Sequence, residues 1–181
     1  MKPQVEVVAI DCLMVRLFEV IAEDNMPWML AAAEGLRRAF GESLVDLVPS
    51  YTTLMVHYDL LALSPSEARQ RIEIALADLA PGTTQAGREH VLPVWYDLSV
   101  GPELVLLSRR SGLSVAEVIE RHSQREYQVF ALGFAPGFAF MGLVEEALAA
   151  PRLNTPRKRV AAGSVGTVSY THLTLPTNRE V

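Results

Sequence analysis

The chain opens with a strand-like alternation of apolar and polar positions. Val5–Ile10 is apolar and β-branched, and in Leu13–Phe18 the residues Leu13, Val15 and Leu17 fall on one strand face with Arg16 on the other. The period then lengthens: Met29, Ala33, Leu36 and Phe40, spaced 4, 3 and 4 apart, make one apolar stripe on a helix. Asn25 suits the N-cap of that helix, Pro27 its first turn and Gly41 its stop. Leu44–Val48 and Thr52–Tyr58 return to the strand period, with Leu54, Val56 and Tyr58 alternating with Thr53, Met55 and His57. Ser64-Pro65-Ser66-Glu67 is a capping box for a helix that turns Ala68, Ile72, Ala75, Leu76 and Leu79 inward and ends at Pro81-Gly82. Polar Thr83–Glu89, with Gly87 inside it, marks a domain boundary. Residues 1–82 therefore read as an N-terminal α+β domain.

Past the boundary the signals shorten. His90–Tyr96 is a strand candidate interrupted by Pro93, which favours an edge or a bulge. Pro102–Arg110 and Ser114–Arg121 read as short helices, the second opened by a capping box of Ser114 and Glu117. Tyr127–Gly133 reads as a strand, Phe134–Met141 as a loop rich in glycine and aromatics, and Leu143–Ala149 as a short helix stopped by Pro151. Arg152–Arg159 is a basic segment and Val160–Gly166 a tight turn of small residues.

Composition narrows the class. Of 181 residues 50% are apolar and 20% charged, a globular balance rather than a disordered one. The net charge of −5 lacks the footprint of a protein that lives on nucleic acid or an anionic membrane, so neither is expected as a partner. The single cysteine, Cys12, excludes a disulfide framework and any multi-cysteine metal site, and no metal ligand set is assigned. No apolar run approaches a membrane span or a secretory signal, so a cytoplasmic location is expected.

Four places offer chemistry. His122 ends a predicted helix, where an imidazole either complements the negative end of the helix dipole or serves as a general acid/base near neutral pH. Gly133-Phe134-Ala135-Pro136-Gly137-Phe138 imposes a rigid turn, and Gly137 allows a ligand near the backbone; a plain hydrophobic turn is the alternative. Arg152, Arg157, Lys158 and Arg159 form a basic arm that can engage phosphate or carboxylate, or simply lie solvated. Gly163-Ser164-Val165-Gly166 supplies N–H groups and a hydroxyl but is no Walker loop. Leu107–Ile119 imitates a helix-turn-helix, but its second helix carries Glu117 and Glu120, which phosphates would repel.

Taken in order, the run Tyr127–Leu143, then Pro151-Arg152, Thr155-Pro156-Arg157 and Val160–Val165, resembles the family of the 5-oxoprolinase B-type subunits. That family also contains the sporulation-kinase inhibitor KipI and allophanate-hydrolase-like subunits. Pro93–Asp97, Gly112-Leu113-Ser114, His122 and Thr52–Asp59 extend the likeness to about Val5–Gly166. Ile10-Asp11, Phe140-Met141 and Ala161 depart mildly from the family pattern, and its later strands and Pro-Gly-Gly-Trp-type segment are absent. The resemblance implies an α+β fold: the N-terminal α+β domain followed, over 83–167, by an incomplete cyclophilin-like β-barrel domain. It implies ATP-dependent opening of 5-oxo-L-proline to L-glutamate, with ATP and its Mg counter-ion. The partners so implied are the C-type and A-type subunits of 5-oxoprolinase, and the chain alone and in this truncated form would be inactive. The alternative is a KipI-like inhibitor of a sensor histidine kinase. On the same basis His122 and Arg157 would be catalytic. Phe134, Pro136, Gly137, Phe138, Arg152, Gly163 and Ser164 would bind substrate.

Val168–Thr177 reads differently from the rest. It matches the translation of a transposon-type sequencing adapter (GTC TCT TAT ACA CAT CTG ACG CTG CCG ACG), so 168–181 is expected to be a non-native tail and the natural frame to be interrupted near Gly166.

Overall fold

The computed structural model describes residues 3–82, 87–133, 136–151, 155, 158–168 and 172–174. The chain forms two compact units, Met1–Gly87 and Arg88–Val181. Each contains helices and one four-stranded sheet.

In the first unit β1 (Gln4–Ala9) and β2 (Cys12–Arg16) precede helix α1 (Met26–Phe40). Strands β3 (Leu44–Pro49) and β4 (Thr53–Tyr58) and helix α2 (Pro65–Ala75) follow. The sheet order is β1-β2-β4-β3, antiparallel throughout. Its inner face carries Leu13, Val15, Leu54, Val56 and Tyr58, all buried against Met29, Leu36 and Phe40 of α1 and Ala68 and Ile72 of α2. Each large side chain so buried contributes roughly 1.5–3 kcal/mol. The alternation and the helical stripe are therefore the core itself. The Ser64 capping box forms as expected, with its hydroxyl and the Glu67 carboxylate each engaging the other's backbone N–H.

Two expectations in this unit need correcting. Asn25 precedes α1 but makes no side-chain cap; it is buried within a 3₁₀ turn, and its Nδ2 donates to the Val20 carbonyl at 2.7 Å. Helix α2 stops at Ala75 rather than at Pro81. Beyond it Ala77 and Leu79 donate to carbonyls three residues back, so a tightened turn still carries Leu76 into the core. Gly41 does stop α1, at φ +51°, with its N–H on the Arg37 carbonyl.

The second unit begins with irregular backbone. His90–Tyr96 forms no strand, because Pro93 removes a ladder donor and no neighbouring strand pairs with the segment among the described residues. Helices α3 (Leu104–Ser111) and α4 (Val115–Ser123) meet at Gly112, which takes the left-handed conformation at φ +72°. Strand β5 (Gln128–Leu132) then pairs with β6 (Ala139–Gly142). Here the expected loop 134–141 is corrected: its second half is a strand, and the Gly133 N–H donates to the Phe138 carbonyl to close a hairpin. The expected helix at 143–149 shrinks to the 3₁₀ turn Glu146–Leu148. Strands β7 (Gly166–Val168) and β8 (His172–Thr174) complete the order β5-β6-β8-β7, with β8 inside the segment read from sequence as a tail. Among the described residues β5 and β7 remain edges, so the sheet is open: an incomplete barrel, following the α+β unit in sequence. No helix is long and apolar enough to cross a membrane among the described residues.

Candidate functional site

His122 sits in the last turn of α4, and two tyrosines hold it. Tyr96 Oη bonds His122 Nδ1, and the two rings meet edge-on with centroids 5.6 Å apart. Tyr127 lies 5.6 Å away on another side and donates its hydroxyl to the His122 carbonyl at 3.0 Å. That bond satisfies one of the orphan carbonyls of the helix end. Burial depresses the His122 pKa below its ordinary value, because desolvation disfavours the charged imidazolium. Burial also raises the Tyr96 phenol, and it pushes Tyr127 up to about 12, so both remain protonated donors near neutral pH. Among the described residues the imidazole Nε2 has no partner.

Local chemistry places both ends of this contact. The Ser114 capping box starts α4, with the Glu117 N–H on Ser114 Oγ and the Ser114 N–H on the Glu117 carboxylate. Ser108 Oγ donates to the Leu113 carbonyl and fixes the turn before it. On the other side, the Asp97 carboxylate accepts from the Ser99 N–H and hydroxyl, and its carbonyl accepts from Gly101, tying off the backbone just after Tyr96. A Cβ at Gly101 would come within 3.1 Å of the Leu104 side chain and 3.3 Å of the Asp97 carbonyl, so a side chain there would crowd the turn. Arg121 pairs with Glu145 and ties the last turn of α4 to the segment after β6.

The remaining predicted positions among the described residues fall on two turns. Gly137 has φ +75° and open space where a Cβ would be, while Pro136 is exposed and Phe138 packs edge-on against Phe140 at 4.9 Å. Gly163 has φ +77°; the Ser164 hydroxyl donates to the Ala161 carbonyl at 2.6 Å, and its N–H does so at 3.2 Å. The one hydroxyl proton of Ser164 is thus used within its own turn, which leaves the Gly163 N–H as the group this turn offers. Lys158 and Arg159 are exposed. Phe134, Arg152 and Arg157 lie outside the described residues.

One core joins these pieces. Val118 of α4, Ala139 and Met141 of β6, and Val144 and Leu148 form a buried cluster, with Ile119, Tyr127 and Val165 packed against it. The helix bearing His122, the strand leaving the Gly137 turn and the residue after Ser164 therefore share one apolar anchor. Sequence reasoning does not single out Tyr96 and Tyr127 as site residues. Their one signal is position, since each lies in a run that carries the family resemblance. A separate cleft of about 510 Å³ lies in the first unit, lined by Val5, Arg69, Ile72 and Leu76 among others; among the described residues none of the predicted site residues lines it.

The chain is similar to known proteins along most of its length. The family pattern described as the carboxyltransferase domain, subdomain C and D, matches residues 3–173. The 5-oxoprolinase B-type subunit of Bacillus subtilis (strain 168) is 35% identical over 173 residues, covering 90% of this chain and 72% of that protein. The 5-oxoprolinase B-type subunit of Escherichia coli O157:H7 is 34% identical over 164 residues, covering 86% and 73%. The crystal structure of TTHA0988 superposes with a TM-score of 0.73 at 36% identity; it covers 91% of this chain, which spans only 32% of the TTHA0988 chain.

Proposed function

Because the chain belongs to the family of the carboxyltransferase domain, subdomain C and D, and its curated relatives are named as the B-type subunits of 5-oxoprolinase, we propose that it is the B-type subunit of an ATP-dependent 5-oxoprolinase. In this reading it opens 5-oxo-L-proline to L-glutamate together with C-type and A-type partner subunits. The observation that carries the reading is the half-buried imidazole of His122, kept neutral by desolvation and held by two protonated phenols, in a chain with those relatives.

A lactam resists hydrolysis because its carbonyl is stabilised by the ring nitrogen. Transfer of a phosphoryl group from ATP, with Mg²⁺ as counter-ion, turns the carbonyl oxygen into part of a leaving group. The protein must then hold a carboxylate, a phosphate and the negative charge that grows on oxygen. In this assignment Tyr96 donates to His122 Nδ1, so the proton of the neutral ring is on Nε2 and can be offered to developing negative charge. A neutral donor suits this work, since it does not bind the ground state as an ion pair would. The N–H groups about Gly137 and Gly163 add donors without side chains in the way. Arg157 and Arg152 are assigned to the substrate carboxylate and phosphate, and Phe134, Pro136 and Phe138 to the pocket wall. Ser164 joins them only if its hydroxyl leaves the Ala161 carbonyl.

The test is 5-oxo-L-proline-dependent ATP hydrolysis by the chain combined with C-type and A-type homologues. His122→Gln is expected to lower turnover by roughly 10²–10⁴-fold. Arg157→Ala is expected to abolish it with folding intact. An assembly that ignores 5-oxo-L-proline but blocks autophosphorylation of a sensor histidine kinase would overturn the proposal. Unchanged turnover in His122→Gln would remove that residue from the site.

A further inference from the structure

The first unit carries a second cluster of chemistry on its outer face. Cys12 and His57 stand directly opposite one another in the β2–β4 ladder, so their side chains leave the same face of the sheet. The next pair in that register, Leu13 and Val56, points the other way into the core. Asp11, at the turn between β1 and β2, bonds His57 Nε2 through Oδ2 at 3.0 Å. The Cys12 sulfur lies in the same cluster. The sulfur, the imidazole nitrogen and the carboxylate oxygen all lie within 4.8 Å of one another. The side chains of His57 and Asp11 are 33% and 35% exposed, so the cluster is open to solvent on one side.

The backbone beneath it is fixed. Tyr58, itself buried, donates its N–H to the Asp11 carbonyl at 3.0 Å and its hydroxyl to the Ile10 carbonyl at 2.9 Å. Cys12 and His57 lie on central strands of the sheet. Donors placed on paired strands and a tied turn are preorganised in a way that donors on loose loops are not. A catalytic-cysteine reading does not suit this arrangement. His57 spends its Nε2 on Asp11 rather than on the sulfur, and burial raises the thiol pKa, as the Asp11 carboxylate beside it does, so a thiolate is disfavoured.

We propose that Asp11, Cys12 and His57 form a binding site for a divalent metal ion of the zinc class, with three protein donors and the fourth position left to water. The donor set selects the metal. A sulfur and an imidazole nitrogen favour zinc-like ions over Mg²⁺ or Ca²⁺, which prefer shells of oxygen. In a tetrahedral zinc site neighbouring donors stand about 3.3–3.7 Å apart, as bonds of about 2.0–2.3 Å require. The present separations, 3.0 Å between His57 and Asp11 and none above 4.8 Å, bracket that spacing. On binding, the Cys12 S–H bond breaks, a sulfur–metal bond forms and the proton passes to buffer, with no change of oxidation state. The site belongs to the other unit from His122 and does not depend on the reading given under Proposed function.

The test is titration of the full chain, stripped with a chelator, with Co²⁺. One equivalent is expected to produce tetrahedral ligand-field absorption and a thiolate-to-cobalt charge-transfer band. Zn²⁺ should bleach both and Mg²⁺ neither. Cys12→Ser should abolish the charge-transfer band, and Cys12→Ser and His57→Ala should each weaken Zn²⁺ binding at least about tenfold. His90→Ala, outside the cluster, should change nothing. Far-UV circular dichroism establishes that each variant is folded; should Cys12→Ser not fold, the wild-type cobalt spectrum decides alone. Absence of a charge-transfer band in the wild type, or Zn²⁺ affinity that survives both cluster substitutions, would overturn the site.

Discussion

At the scale of single residues, burial and hydrogen bonding set what each group can do. His122 looks from sequence like a helix-terminal cation, yet desolvation lowers its pKa from the ordinary value of 6.5. Above pH 6.5 both folded and unfolded imidazoles are neutral and the folded state has its full stability. Below it the unfolded chain takes up the proton first, and stability drains away until the folded imidazole is protonated as well. We therefore expect the NMR titration midpoint of His122 to fall below 6.5. His122→Gln should flatten the loss of stability on the acid side. A midpoint at or above the ordinary value would contradict the desolvated setting. The tyrosines flanking His122 are half-buried, and their polar tips reach it because each phenol has one apolar and one hydrogen-bonding end.

At the scale of elements, the caps were legible and the ends less so. Ser64 and Ser114 each carry the full reciprocal box, because the spacing from serine to glutamate lets both side chains satisfy backbone donors that the helix leaves orphaned. Ser114→Ala should cost about 1 kcal/mol in a denaturant titration, and the loss should appear in the transition of the second unit. Asn25 is the contrasting case. It has the right residue type in the right place, but the backbone is already helical there and the side chain turns to Val20. The 134–141 run misled in the same manner. Glycine and proline density signals a turn, while the strand that follows, Ala139–Gly142, is set by pairing with β5 and by the burial of Ala139 and Met141.

At the scale of the whole molecule, the two units differ in how much they bury. Among the described residues the core of the first contains 16 buried residues, including Leu36, Phe40, Leu54 and Tyr58. Among the described residues the main buried cluster of the second contains 6, and its sheet is open at β5 and β7. A fragment comprising Met1–Gly87 is therefore expected to fold alone and melt cooperatively, and within it Leu36→Ala should cost about 2–5 kcal/mol. In the full chain the second unit should unfold at the lower denaturant concentration. A fragment that gives a non-cooperative melt, or a single coincident transition for both units, would contradict this division of stability.

What local pattern alone determined is the set of features that need only neighbours in sequence. The apolar stripe of α1, the alternation of β2 and β4, both capping boxes and the Gly41 stop follow from helix and strand periods and from the conformational freedom of glycine. The ordered motifs of the second unit carried the family for the same reason, being a string of residues read along the chain. Tertiary structure alone decided the meetings of distant residues. It brought Tyr96 to His122 and, through register, His57 to Cys12 and Asp11. Those meetings depend on which strands pair and which helix faces share a core, and no local period encodes them.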